Sequence, residues 1–136
     1  MGMHFGREVM KIGVVHVGNG DIKSDGSVAD AVDVIGLTSD MDKVKMAVES
    51  MSFLKGFTNM AQAFTKAEQL FLLDGRKMAQ SAVVTLTDGK PSFLFQTAEK
   101  VMQLKDKHTK PFFVPVTEFK DEELNLMHQW AIRPWN

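Results

Sequence analysis

The chain has 136 residues, 44% of them apolar, and its 16 basic and 17 acidic residues give a net charge of −1. That apolar content suits one soluble domain with a real core and excludes a disordered or fibrous chain, while the scattered, balanced charge argues against nucleic acid or an anionic membrane as an electrostatic partner. The absence of cysteine excludes disulfides, thiolate metal ligands and cysteine nucleophiles. No apolar run reaches the roughly 20 residues of a membrane span, and residues 1–10 have no apolar region of a secretory signal.

In chain order, residues 1–9 suit the last turn or two of a helix lying before the first strand. Residues 11–17 contain Ile12, Val14, Val15 and Val17 and stop at Gly18-Asn19-Gly20, so they read as a strand followed by a turn. His16, inside that strand, reads as a packed or solvent-facing side chain. A polar loop over 21–27 leads to a second extended run, 28–37, with Ala31, Val32, Val34 and Ile35. Two strands joined by a turn-rich loop predict an antiparallel pair. Thr38-Ser39-Asp40 then offers an N-cap for a helix over 41–54, with Val44, Ala47, Val48 and Met51 on its apolar side.

A second helix is predicted from Met60 to about Leu72, with Met60, Ala63, Phe64, Ala67, Leu70 and Phe71 following the helical repeat and Phe64 and Phe71 in the core. Thr58 or Asn59 would be its N-cap. Residues 82–86, AVVTL, then form a short continuous apolar run that ends in Thr87-Asp88-Gly89-Lys90-Pro91. Lost alternation marks a strand covered on both faces, as in parallel sheets. An Asp at the carboxyl end of such a strand faces the crevice where open α/β sheets place ligands, and Gly89 gives the backbone room to turn. Asp88-Gly89 reads equally well as a plain loop start.

Residues 96–107 predict a helix with Ala98, Val101 and Met102 on one side, and 111–116, PFFVPV, a strand near an edge because of Pro115. Residues 121–130 close the pattern as a helix with acids in its first turn and Leu124, Met127 and Ala131 inward. Phe93 and Phe95 sit either at the crevice rim or beneath the following helix. The ten methionines read as core filler. His4, His108 and His128 lack zinc-ligand spacing. The order is therefore strand, strand, helix, helix, strand, helix, strand, helix: an α/β sandwich.

The segments MKIGVVHVGNG, LTSDMDKVKMAVESMSFLKGFTNMAQAF and GRKMAQSAVVTLTDGKPS carry a resemblance. Gly56-Phe57-Thr58 with Ala63 supplies a G-x-T-x-x-x-x-A element and 82–89 a strand-T-D-G element, and in this order they resemble the von Willebrand factor type A domain, also called the integrin I-type domain, over about 7–136. The resemblance implies a three-layer, Rossmann-like sandwich with a mostly parallel sheet and one antiparallel edge strand, present here as a single partial domain. It implies a metal-ion-dependent adhesion site for Mg²⁺ or Mn²⁺ that uses Thr58 and Asp88, with Gly56, Phe57, Asn59, Gly89 and Lys90 around it toward a partner. A protein ligand would supply an acidic residue to the ion.

The family's D-x-S-x-S motif has no counterpart. The nearest string, Asp25-Gly26-Ser27-Val28-Ala29, reads as a turn. The family's first, central strand and its last strand are likewise expected to be missing, so the strands at 11–17 and 82–86 should lose the neighbour between them. They would pair directly, or self-association or another chain would fill the gap, or the fold would be marginal. Cation affinity should be weak or absent. The expected function is an adhesion-type interaction module with an incomplete metal site. The alternatives are a structural remnant without metal and, with less support, an α/β enzyme using Asp88 with Lys90 or His16.

Overall fold

A computed structural model describes residues 10–17, 24, 32–53, 57–88, 90–116 and 120–131, with Val32 and Asp33 described in backbone only. The expected helix end at 1–9, the turn at 18–20, the string at 25–29 and the glycines Gly56 and Gly89 lie outside the described residues. Eight elements follow one another: β1 (Ile12–His16), β2 (Val32–Thr38), α1 (Met41–Glu49), α2 (Met60–Asp74), β3 (Ala82–Thr87), α3 (Leu94–Asp106), β4 (Lys110–Pro115) and α4 (Asp121–Trp130). The α/β class expected from the pattern is the one observed. None of these helices is long and apolar enough to cross a membrane.

The strands form two separate sheets. β1 and β2 pair antiparallel, from Ile12 opposite Thr38 to His16 opposite Val32, with register slips on either side of Val14. β3 and β4 pair parallel in unbroken register, from Ala82 opposite Lys110 to Thr87 opposite Pro115. A parallel pair needs a long crossover, and α3 supplies it. The direct pairing weighed for the strands at 11–17 and 82–86 does not occur, since no ladder joins the two sheets among the described residues.

Helix packing follows from which side chains find a sheet. Met60 and Phe64 of α2, Val101 and Leu104 of α3 and Trp130 of α4 form one buried cluster, with Val83, Ala98, Phe113 and Leu126 against it. Phe113 stands 6.2 Å from Phe64, edge to face, and 6.1 Å from Trp130. One face of β3–β4 is therefore roofed by three helices. Farther along, α2 lies on the other sheet, where a Cβ added at Gly13 would lie 3.2 Å from the Leu70 side chain and the Lys11 ammonium donates to the Asp74 carbonyl at 3.0 Å. The helix ends at Gly75, where an added Cβ would clash with the Phe71 carbonyl oxygen.

Several expected core positions are corrected. Phe71 is only half-buried and Leu70 takes the inward place. α1 buries no residue and leaves Val48 exposed where it packs on the two-stranded β1–β2 sheet. On α3 the inward positions are Thr97, Val101 and Leu104, while Met102 faces outward. Among the methionines Met60 and Met127 fill the core, but Met10, Met41, Met46, Met78 and Met102 are exposed. In α4, Met127 is buried as expected and Trp130 joins it.

Two outcomes are expected in chemical denaturation. Phe64→Ala should cost about 3–5 kcal/mol as a cavity in the shared core, whereas Phe95→Ala, at a side chain 79% exposed, should change stability by less than about 0.5 kcal/mol; equal costs would disprove this placement of the core. Gly75→Ala should lower the midpoint measurably, because the helix end must shift to admit the methyl group.

Candidate metal and partner site

The loop over 57–59 enters α2, and local hydrogen bonds decide its shape. Asn59 caps the helix: its side-chain oxygen accepts from the Gln62 N–H at 3.2 Å. Of the two cap residues the sequence offered, the structure uses Asn59. The hydroxyl of half-buried Thr58 is thereby left out of capping, and it has no hydrogen-bond partner among the described residues.

Thr58 is instead held through its backbone. Its N–H donates to the Ser92 hydroxyl at 3.1 Å, and its carbonyl accepts from the Ser92 N–H, also at 3.1 Å. Beside this clamp the Phe57 ring meets Phe93 edge-on at 6.2 Å. The loop before α2 is thus fastened to the loop after β3. The two positions left open for the phenylalanines are resolved differently. Phe93 is half-buried at the rim, and Phe95 points outward from the first turn of α3.

Asp88 follows directly on buried Thr87, whose carbonyl accepts from the Val116 N–H at 2.9 Å and so anchors the end of the strand. Asp88 itself is exposed, and its carboxylate has no partner among the described residues. Lys90 reaches α4, where its ammonium lies 4.0 Å from the Glu123 carboxylate. The first turns of α2, α3 and α4 therefore border one rim at the carboxyl end of β3, the place where open α/β sheets hold ligands. A shallow groove of about 450 Å³ lined by Asn59, Gln62, Lys66, Phe93, Gln96 and Lys100 opens beside it between α2 and α3.

Of the residues expected here, Phe57, Thr58 and Asn59 are gathered against the loop that follows Asp88, and Lys90 is drawn toward α4. His16 belongs to the β1–β2 sheet. Among the described residues no three His, Cys, Asp or Glu side chains converge. Ser92 and Glu123 belong to the rim and were not foreseen, while Phe93 takes the rim place that was one of the two open to it. Ser92 follows the turn as a polar residue after Pro91, but its pairing with a residue 34 positions away leaves no local mark.

Comparisons with known proteins agree with this architecture. Residues 3–131 match the von Willebrand factor type A domain. The solved VWA domain of SpRpn10 superimposes with a TM-score of 0.69 at 12% identity, over 90% of this chain and 59% of that one. The conserved hypothetical protein BatB from Bacteroides thetaiotaomicron superimposes with a TM-score of 0.62 at 17% identity, over 89% of this chain and 65% of that one. At these identities the likeness is one of fold, and this chain spans less than two thirds of the length of either structure. No curated protein matches the sequence significantly. The family match over nearly the whole chain, and the fold it shares with these structures, establish that the chain belongs to the von Willebrand factor type A family.

Proposed function

We propose that this chain is an adhesion-type protein-interaction module, whose rim around Thr58 and Asp88 takes an acidic residue of a partner protein with the help of a weakly held Mg²⁺ or Mn²⁺. The coarser part of this reading follows from the family, whose domains are generally interaction modules. The observation that supports the finer part is the division of labour between neighbours: Asn59 caps α2, so the Thr58 hydroxyl is not used in capping, and the clamp to Ser92 holds it on the same loop system as the Asp88 carboxylate, which has no partner among the described residues.

The donor chemistry fits the ion. A hydroxyl and a carboxylate are hard oxygen donors, and Mg²⁺ keeps several waters and needs few protein ligands. The cation would supply positive charge for a partner's carboxylate. Thr58 and Asp88 would hold it, Phe57 and Phe93 would wall the rim, and Lys90, already close to Glu123, would stand at its side. Two protein donors imply low affinity. The reading of Asp88 as a catalytic group, assisted by Lys90 or His16, has less support, because Lys90 is engaged with Glu123 and His16 sits in the other sheet.

Thermal unfolding with excess Mg²⁺ or Mn²⁺ against EDTA tests the site. At about ten times the dissociation constant the midpoint should rise by about 4–6 °C, and the rise should vanish in Thr58→Ala and in Asp88→Asn. A midpoint indifferent to metal would leave a fold that has lost its ion, the structural-remnant reading. Asn59→Ala should cost about 1 kcal/mol as a lost cap.

A further inference from the structure

The end of the β3–β4 sheet opposite the rim is basic. Two loops meet there: residues 75–81 lead from α2 into β3, and 107–109 lead from α3 into β4. The Gln80 side chain joins them by donating to the His108 carbonyl at 2.6 Å, and the Lys110 N–H donates to the Ser81 carbonyl at 2.9 Å. Residues 74–77 and 105–110 together hold five cations, Arg76, Lys77, Lys105, Lys107 and Lys110, against two acids, Asp74 and Asp106. Lys11 adds to them from the start of β1, its ammonium on the Asp74 carbonyl. The whole chain carries −1, so its overall balance of charge does not describe this pole.

Service to the helix ends accounts for only part of this charge. Lys105 donates to the Gln129 carbonyl at 3.3 Å, near the end of α4, and Lys107 pairs with Glu68 of α2. The ammonium groups of Lys77 and Lys110 have no partner among the described residues, and both residues are exposed. Apolar side chains stand in water beside them. Met78, directly after Arg76 and Lys77, is 98% exposed, and Leu72 and Leu73 in the last turn of α2 are 73% and 79% exposed. Each loop joins a roof helix to the strand beneath it, so this exposure is separate from that of the uncovered sheet face. A side chain as exposed as Met78 protrudes and lines no groove.

We propose that this pole docks on the anionic surface of a lipid bilayer, with Lys77, Lys110 and their basic neighbours against the head groups and Met78 set among them. Cations carried on helix ends and strand starts at one end of a sheet form a face rather than a cleft, which suits a planar anionic surface. Each Lys or Arg held near such a surface adds attraction that salt screens. An apolar side chain protruding beside them gains by entering the boundary between head groups and acyl chains. The contact is peripheral and uses no spanning segment. It lies at the opposite end of the sheet from the rim and needs no divalent cation, so it goes beyond the metal-dependent reading and does not rest on it.

The test is co-sedimentation of the whole chain, in EDTA, with phosphatidylcholine vesicles containing about 30% phosphatidylserine, against vesicles of phosphatidylcholine alone. The chain should bind the anionic vesicles and be released in about 0.5 M NaCl. Lys77→Gln combined with Lys110→Gln should weaken binding about twenty- to thirtyfold, roughly fivefold for each cation removed. Lys43→Gln combined with Lys45→Gln takes the same charge from α1 and should leave binding nearly unchanged. Met78→Ser should weaken it about tenfold. Met78 is 98% exposed, so the unfolding midpoint of that variant should match the unaltered chain, which separates lost binding from lost folding. The proposal is overturned if anionic vesicles bind no better than neutral ones, or if the two pairs of substitutions weaken binding equally. It is also overturned if Met78→Ser leaves vesicle binding unchanged while soluble poly-L-glutamate binds as tightly as the vesicles, which would give the pole to an acidic protein segment.

Discussion

Helix α2 is the element on which this structure depends. Among the described residues no ladder connects β1–β2 to β3–β4, so the two sheets are held to one another by what packs across them. α2 does this along its length. Near its start Met60 and Phe64 enter the aromatic cluster of Phe113 and Trp130 over β3–β4. One to two turns later Leu70 lies against Gly13 of β1, and the last carbonyl of the helix receives Lys11. Apolar contact replaces hydrogen bonding here as the link between sheets, which makes the volume and shape of a few side chains matter more than in a continuous sheet.

The same helix sets the rim. Its first turn is closed by Asn59, and that choice decides what Thr58 is available to do. Had Thr58 been the cap, its hydroxyl would have been consumed by a backbone N–H. Instead the backbone of Thr58 pairs reciprocally with Ser92, a contact with two hydrogen bonds that holds the loop before α2 to the loop after β3. The Phe57–Phe93 contact covers one side of it. The two loops are thereby joined into one rim at the carboxyl end of β3.

The division into two sheets has its counterpart on the surface. An α/β sheet normally has both faces covered, and β3–β4 has one covered face and one exposed face. The buried face explains Val83 and Phe113. The exposed one explains why Val84 and Leu86, identical in character to core residues, are in contact with water.

By itself the sequence determined the order and type of the elements, because hydrophobic period and capping chemistry are local: the helix over 121–130, the cap at Asp40, the parallel character of 82–87 and the turn at its end are all written in neighbouring residues. It also carried the family, through the loops at Thr58 and Asp88. What only the tertiary structure decided depends on residues far apart. The choice of Asn59 over Thr58, the pairing of Thr58 with Ser92, the engagement of Lys90 by Glu123, the outward turn of Met102 and the separation of β1 from β3 among the described residues each depend on which distant surface is present. A local pattern names a side of a helix or strand as apolar, and only packing determines whether anything covers it.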